Sequence, residues 1–248
     1  MVKDSKRNAN RVTRNALPIT LFIFFGLSFV ICHWSFAASP LWRGGVEERM
    51  VALTFDDGPK PEFSYKVLDI LDRYGVKATF FVVGNEVEEH SDIILRMEGS
   101  GHEIGNHTYS HRSSNNLAKA ELIDEVKKCN QVIENIIGES PKYFRPPGGG
   151  LNGNVLKEIS NLNLKVVKWT VNAGDYIEET EDFEVDEDWD ELAKNLVPGV
   201  VNKITDGAIV LFHNGSEQTV RALPKIIEAL KSKGFRFVTI SELLNLEE

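Results

Sequence analysis

Two short stretches of the chain combine residue types that bind metal ions and move protons. Residues 54–59 (TFDDGP) place the carboxylates of Asp56 and Asp57 at the end of an apolar run, where Gly and Pro begin a turn. Residues 107–111 (HTYSH) place the imidazoles of His107 and His111 at positions i and i+4. One carboxylate and two imidazoles make a three-ligand metal site, and the second carboxylate is left to act as a base. The combination predicts a metallohydrolase.

Each stretch has an ordinary structural interpretation when it is taken alone. Turns rich in Asp, Gly and Pro are common, and two histidines four residues apart can be surface or core residues. The functional interpretation needs two local geometries. The turn after Asp57 must send the two carboxylates out of the strand end at different angles. The spacing of His107 and His111 must bring both rings to one side of a single helical turn.

Strand and helix patterns alternate from residue 50 onward, which indicates βαβ units around a parallel sheet. So many units in one run favour a (β/α) barrel, although an open doubly wound sheet is also compatible. Each motif follows a predicted strand and so falls at the carboxyl rim, where such barrels build active sites. The predicted strands cover residues 51–55, 78–83, 102–104, 142–145, 165–171, 208–212 and 235–239. The predicted helices cover residues 63–74, 87–97, 117–137, 155–162, 189–204, 219–233 and 242–246.

Four motifs in order make the chain resemble the polysaccharide deacetylases, the enzymes with the NodB homology domain, also called carbohydrate esterase family 4. They are residues 54–59 (TFDDGP), 107–111 (HTYSH), 145–149 (RPPGG) and 211–213 (LFH). The resemblance implies an α/β fold with a distorted (β/α) barrel in one catalytic domain, residues 41–248. It also implies removal of N- or O-linked acetyl groups from sugars, most often in N-acetylglucosamine polymers.

The resemblance assigns a metal site and a base. By this analogy Asp57, His107 and His111 bind one divalent metal ion, usually Zn²⁺, with Co²⁺ or another divalent ion as alternatives. Asp56 matches the catalytic base and Arg145 the residue that orients it. The chemistry requires both parts, because an acetamide carbonyl is a poor electrophile and the attacking water must lose a proton.

The resemblance also assigns an acid and substrate contacts. His213 matches the catalytic acid, which must protonate the departing sugar nitrogen, and Asp175 can pair with it and raise its pKa. The backbone N–H that matches an oxyanion-binding group belongs to Gly148. Two departures affect substrate fit: many relatives have an aromatic residue at Gly148, and residues 172–176 read NAGDY where the family pattern is Asp-x-x-Asp-Trp. The expected substrate contacts are Pro147, Gly148, Leu211 and Tyr176.

The N-terminus has the pattern of a targeting segment. An apolar stretch over residues 17–38 is long enough to cross a bilayer, and small residues near its end also suit signal-peptidase cleavage. Residues 1–40 therefore predict a basic n-region with either a signal peptide or a signal anchor. The basic flank should stay in the cytoplasm, which places the catalytic domain outside the cell. The basic residues that precede the stretch are Lys3, Lys6, Arg7, Arg11 and Arg14.

Composition narrows the function further. The net charge of −9 argues against a nucleic-acid partner, which would need a surplus of Lys and Arg. The two cysteines, Cys32 and Cys129, do not suggest a disulfide scaffold, and Cys129 is expected to be a buried apolar residue. The favoured substrate is extracellular N-acetylated polysaccharide, either peptidoglycan or chitin-like oligomers. The alternatives are an O-acetyl esterase acting on xylan-type polymers and a non-catalytic wall-binding protein on the same scaffold.

Overall fold

The structure of the protein is a computed structural model that describes residues 39–44, 49–175 and 189–244. The predicted targeting segment over residues 1–38 lies outside these ranges, and so does Tyr176. Within them, no helix has both the length and the apolar character needed to span a bilayer.

One sheet of parallel strands organises the described part of the chain. Its hydrogen-bonded order is β5-β4-β3-β2-β1-β7-β6, and β8 pairs with the beginning of β1. The strands are β1 (Met50–Gly58), β2 (Thr79–Val82), β3 (Glu103–Asn106), β4 (Tyr143–Phe144), β5 (Lys165–Val166), β6 (Val171–Asn172), β7 (Ala208–His213) and β8 (Arg236–Phe237).

Helices connect the strands, as the alternating pattern predicted. α1 begins with a proline in its first turn and ends at Gly75, whose φ of 61° is the left-handed conformation that glycine adopts most readily. The helices are α1 (Pro61–Tyr74), α2 (Gly84–Glu89), α3 (Ser91–Gly99), α4 (Lys119–Ile137), α5 (Gly153–Asn161), α6 (Trp189–Val201), α7 (Glu217–Ser232) and α8 (Ile240–Leu244).

The sheet curls into a distorted barrel, which confirms the predicted fold. β5 and β6 lie at opposite ends of the strand order, yet only residues 167–170 separate them in the chain. The two ends of the sheet must therefore approach each other. Residues at the start of the domain lie at this closure, because Leu41 bridges Val167 and Arg43 bridges Ala208. The single strand predicted over residues 165–171 is wrong, since its first part pairs with β4 and its last part with β7.

Apolar packing holds the central strands in place. The ring of Phe55 on β1 stacks on Phe80 of β2 and Phe212 of β7, with centroids 5.1 and 5.5 Å apart. All three side chains are fully buried, so packing in the core fixes the positions of the strands that carry the motifs. Cys129 is also fully buried, as predicted, and burial raises the pKa of its thiol to about 12.

Several predicted helix boundaries differ from the structure, and two of these differences have a local cause. The helix expected over residues 87–97 is two helices, α2 and α3, because His90 leaves the helical conformation with φ −131° and ψ 49°. Pro198, a residue type that often ends or kinks a helix, lies inside α6, which continues to Val201. The last helix begins at Ile240, two positions earlier than predicted, because the Thr239 N–H is capped by the Glu242 side chain at 2.8 Å.

Candidate active site

Asp56 and Asp57 lie on the last residues of β1, where their side chains diverge. β1 continues to Gly58 rather than ending at Phe55, and its pairing with β2 shifts register between Asp56 and Gly58. Asp57 has a φ of 71°, a left-handed conformation that is uncommon outside glycine. This bulge separates the carboxylates, so the predicted divergence occurs within the strand rather than in a following turn.

Asp57, His107 and His111 form a cluster whose ligand atoms all lie within 4.8 Å of one another. Asp57 Oδ1 is 2.9 Å from His111 Nε2 and 3.3 Å from His107 Nε2. The spacing had predicted that the two rings share a single helical turn, and this prediction is wrong. They lie on the loop after β3, where Thr108 and His111 have φ values of 68° and 57°. This irregular loop brings the ring centroids to 5.1 Å.

Hydrogen bonding sets the tautomer of His107 in a way that suits a metal ligand. His107 Nδ1 lies 2.6 Å from the carbonyl oxygen of Arg145, which can only accept a hydrogen bond. A neutral His107 therefore carries its ring proton on Nδ1, which leaves the lone pair of Nε2 available to a metal ion. A protonated His107 carries a second N–H on Nε2, which lies 3.3 Å from Asp57 Oδ1. An orienting partner such as the Arg145 carbonyl is typical of metal-binding histidines.

The electrostatics of the cluster favour an ionised carboxylate. Burial opposes the charge on Asp57, but hydrogen bonds and charge from His107 and His111 hold the pKa of Asp57 well below its usual range. The hydrogen bond to Asp57 raises the pKa of His111 above its usual value. One carboxylate oxygen and two imidazole nitrogens are a donor set that suits a divalent ion such as Zn²⁺. These residues fit the metal that the sequence implied.

Asp56 is held apart from this donor set by Arg145. Arg145 Nη1 donates to Asp56 Oδ1 at 2.7 Å, whereas Asp56 Oδ2 is 3.8 Å from His107 Nε2. Asp56 is 4% exposed and Arg145 is 0% exposed, so this ion pair is shielded from solvent. Thr54 and the Phe81 ring also fix the guanidinium, with Nη1 2.7 Å from Thr54 Oγ1 and the carbon 4.1 Å from the ring centroid. One carboxylate oxygen is thus anchored and the other faces the cluster.

His213 and Asp175 form a second polar pair at the same rim, at the end of β7. His213 Nδ1 donates to Asp175 Oδ1 at 2.9 Å, and the His213 backbone N–H donates to Asp175 Oδ2 at 2.8 Å. Asp175 is buried, and Thr219 and Ser216 also donate hydrogen bonds to it. Burial alone would lower the pKa of His213, but the hydrogen bond and charge of Asp175 raise it overall, with smaller contributions from Asp56 and Asp57.

The Asp57–His107–His111 cluster, Asp56 and His213 all line one cavity of about 260 Å³. Leu211 lines this cavity, and so do Gly148 and Gly149 of the glycine-rich loop, whereas Pro147 at the start of that loop is buried and does not line it. Trp169 also lines the cavity, which the sequence reasoning missed because residue 169 fell inside a predicted strand. A neighbouring cavity of about 360 Å³ shares Asp57, His111 and His213 with the first.

A third cavity lies elsewhere on the barrel. A cavity of about 390 Å³ lies at the opposite, amino end of the strands, beside Gly101, His102 and Ser241. It contains none of the predicted site residues. The chemistry-bearing groups, rather than cavity size, therefore locate the candidate active site.

Comparison with known proteins places these observations in a family. The family model for polysaccharide deacetylases matches residues 43–167. A curated peptidoglycan-N-acetylglucosamine deacetylase from Bacillus cereus is 36% identical over 207 residues, which is 82% of this chain and 92% of that protein.

Solved structures agree with this result and add a distinction. A peptidoglycan N-acetylglucosamine deacetylase in complex with 4-naphthalen-1-yl-N-oxidanyl-benzamide has a TM-score of 0.76 at 34% identity, covering 84% of this chain and 94% of that chain. A pseudoenzyme of carbohydrate esterase family 4 from Bacillus anthracis has a TM-score of 0.73 at 31% identity, covering 83% of this chain and 68% of that chain. A similar fold therefore does not by itself establish catalysis, and the side chains of the site carry that argument.

Proposed function

Because the chain belongs to the polysaccharide deacetylase family, we propose that it is a metal-dependent deacetylase of extracytoplasmic N-acetylglucosamine-containing polysaccharide. The reaction is hydrolysis of the N-acetyl amide to acetate and a free sugar amine. Peptidoglycan is the favoured polymer because the Bacillus cereus relative is named for it. Chitin-like oligomers carry the same acetamide and serve as test substrates.

The main support for the proposal is the placement of Asp56 beside the three candidate metal ligands. Asp57, His107 and His111 converge on one point, while Asp56 is held beside them by Arg145 and is not drawn into the donor set. A binding protein needs no such second carboxylate, and a buried ion pair of this kind adds little to stability by itself. A hydrolase needs it, because the attacking water must lose a proton.

The chain supplies a place for each proton and charge of the hydrolysis. Asp57, His107 and His111 would hold the ion, which when bound polarises the acetyl carbonyl and lowers the pKa of an attacking water. Asp56 accepts the water proton at Oδ2, because Arg145 engages Oδ1. As the water oxygen bonds to the acetyl carbon, negative charge develops on the former carbonyl oxygen. The backbone N–H of Gly148 stabilises that charge.

The second half of the reaction depends on His213. Protonated His213 donates its proton to the sugar nitrogen as the carbon–nitrogen bond breaks, because an unprotonated amide nitrogen is a poor leaving group. The hydrogen bond from Nδ1 to Asp175 leaves Nε2 as the donating atom. Leu211 would contact the acetyl methyl group at the cavity wall. Tyr176 and Pro147 stay proposed contributors to substrate binding.

The place of action follows from the substrate and the N-terminus. We assign residues 1–40 to a signal peptide or signal anchor and residues 41–248 to the catalytic domain. The basic flank and the apolar stretch support export, and wall polysaccharide lies outside the membrane. Fractionation of cells that express the full chain, followed by N-terminal sequencing of the mature protein, separates the cleaved form from the anchored form.

Acetate release from N-acetylglucosamine oligomers and from purified wall glycan tests the proposed function directly. We expect residues 41–248 loaded with Zn²⁺ to release acetate, a chelator to stop the reaction, and added Zn²⁺ to restore it. Mass spectrometry should show loss of one acetyl mass per modified sugar. Release that continues after the chelator has removed the metal would contradict metal dependence.

The same assay separates the two alternatives. An O-acetyl esterase would release acetate from acetylated xylan and leave N-acetylated oligomers unchanged. A non-catalytic wall-binding protein would bind the glycan without releasing acetate from any substrate. The anchored Asp56 carboxylate favours catalysis over simple binding, as described above.

Replacing Asp175 with Asn is expected to move the alkaline limb of the pH–rate profile to lower pH. Asp175 raises the pKa of His213, and His213 must be protonated to act as the acid. The wild-type enzyme should therefore stay active until the pH reaches the raised pKa of His213. In the variant the pKa of His213 is lower, so activity should be lost at a lower pH. The measurement is kcat across pH with zinc at saturation. An unchanged alkaline limb would contradict the assignment of His213 as the acid.

A further inference from the structure

Lys168 is a buried lysine beside the candidate active site. It lies between β5 and β6, where the sheet closes, and is 6% exposed. Its Nζ donates to the carbonyl oxygen of Gly149 at 2.6 Å. Across the described ranges no carboxylate lies within ion-pair distance of this ammonium. Instead it lies 4.4 Å from the Trp169 ring centroid and 5.4 Å from that of Trp42.

Keeping a charge in this position opposes stability. Burial and the positive charge of Arg145 lower the pKa of Lys168, and the negative charge of Asp56 offsets only part of this shift. Two aromatic faces and one carbonyl offset part of the lost hydration. An apolar side chain of similar size would fill the same space without that cost. The ammonium therefore suggests a role other than packing.

The loop that Lys168 contacts is held by two internal hydrogen bonds and by packing, because its glycines have no side chains of their own to anchor it. Gly148 and Gly149 have φ values of 61° and 68°, and neither has a side chain that could anchor it. A Cβ at Gly149 would lie 2.6 Å from Lys168 Nζ and 2.7 Å from Trp169 Cη2. The loop thus packs directly on the lysine and the tryptophan. Its internal hydrogen bonds run from Gly149 N to Pro146 O at 2.9 Å and from Gly150 N to Pro147 O at 3.3 Å.

The backbone of Lys168 is itself fixed on both sides. Its N–H donates to the carbonyl oxygen of Leu41 at 2.7 Å, at the barrel closure. Its carbonyl oxygen accepts from Arg145 Nη2 at 3.1 Å. The residue thus joins the guanidinium that anchors Asp56 to the loop that carries the Gly148 N–H.

We infer that Lys168 is a positioning residue that holds the glycine-rich loop, residues 147–150, so that the Gly148 N–H faces the developing oxyanion. This inference rests on the proposed function, because it concerns the same deacetylation. Lys168 lies outside the four family motifs. The loop that it would order has glycine at position 148, where many relatives have an aromatic side chain. Lys168 does not touch the reacting atoms and acts through Gly149.

The test compares Lys168→Met, Lys168→Arg and the control Lys165→Met with the wild-type enzyme. Lys165 is an exposed lysine on β5, three residues earlier. We expect Lys168→Met to lower kcat about tenfold with KM nearly unchanged, a fraction of the effect of losing an oxyanion donor. Lys168→Arg keeps the charge and N–H donors and should recover kcat to within about threefold. The control should match the wild-type enzyme.

Hydrogen exchange provides a readout that does not depend on turnover. The Gly149 and Gly150 amides of Lys168→Met should exchange at least about tenfold faster than in the wild-type enzyme. If the wild-type enzyme releases no acetate, the proposed function fails and exchange alone decides whether Lys168 anchors the loop.

Several outcomes would overturn the inference. Wild-type kcat and exchange in Lys168→Met would show that the ammonium does not position the loop. Equal kcat in the Met and Arg variants would show that the cation is not needed. If Lys168→Met does not fold, Lys168→Gln replaces it in the comparison. A kcat of Lys168→Gln that is no lower than that of Lys168→Arg would also overturn the inference.

Discussion

Replacing Asp56 with Asn is expected to lower kcat about 10³-fold, the scale on which a general base contributes to catalysis. The amide can still accept the hydrogen bond from Arg145 Nη1 through its oxygen, so the guanidinium keeps a partner. It cannot accept the proton of the attacking water. The zinc content of the variant should equal that of the wild-type enzyme, because Asp57, His107 and His111 are unchanged. The measurements are acetate release and elemental analysis of the same preparations.

Asp69→Asn is the matched control for this variant. Asp69 is an exposed aspartate on α1 that pairs with Arg96 at 2.5 Å, away from the rim of the barrel. An exposed ion pair contributes little, so activity and zinc content should both stay at the wild-type level. Near-normal turnover in Asp56→Asn would show that another group takes the proton. Loss of zinc from that variant would show that Asp56 is a ligand.

Replacing His111 with Ala is expected to remove zinc and activity together. His111 is one of three proposed ligands, and loss of a ligand should weaken metal binding by more than the 10- to 100-fold that loss of an orienting partner costs. Its side chain is 45% exposed, so the substitution leaves the core intact and a loss of zinc is not explained by unfolding. After dialysis against a weak chelator, acetate release should fall to the level of chelator-treated wild-type enzyme.

His90→Ala provides the matched histidine control. His90 lies at the junction of α2 and α3, outside the Asp57–His107–His111 cluster. This variant should keep one zinc ion per chain and wild-type turnover. Full zinc content in His111→Ala would contradict the assignment of His111 as a ligand. A high zinc concentration that restores activity to His111→Ala would support weakened binding as the cause.

The sequence was sufficient for the fold and for the identity of the candidate ligands. Alternating strand and helix patterns predicted the barrel, and the motifs around Asp57, His107 and His111 named residues that the structure brings together. Both predictions depend on regular features of the fold, namely the alternation of strands and helices and the parallel direction of the strands. Parallel strands end at one rim, so groups that follow those strands meet there whatever the details of the loops.

Irregular backbone was beyond the reach of pattern analysis. The bulge at Asp57 and the left-handed conformations of Thr108 and His111 depend on tertiary packing, since none of these residues is glycine. The break between β5 and β6 likewise depends on which neighbour each half meets at the barrel closure. Lys168 and Trp169 lie at that break, and the predicted strand gave no reason to single them out.

A crystal structure of the zinc-loaded protein, with anomalous data collected at the zinc edge, would test the proposed metal site and the separate role of Asp56. We expect one strong peak at about 2.0–2.2 Å from an oxygen of Asp57 and from Nε2 of His107 and of His111. Asp56 should stay beyond bonding distance of that peak and paired with Arg145. A map without density between these three side chains, or a peak that Asp56 ligates, would rule out the proposed metal site.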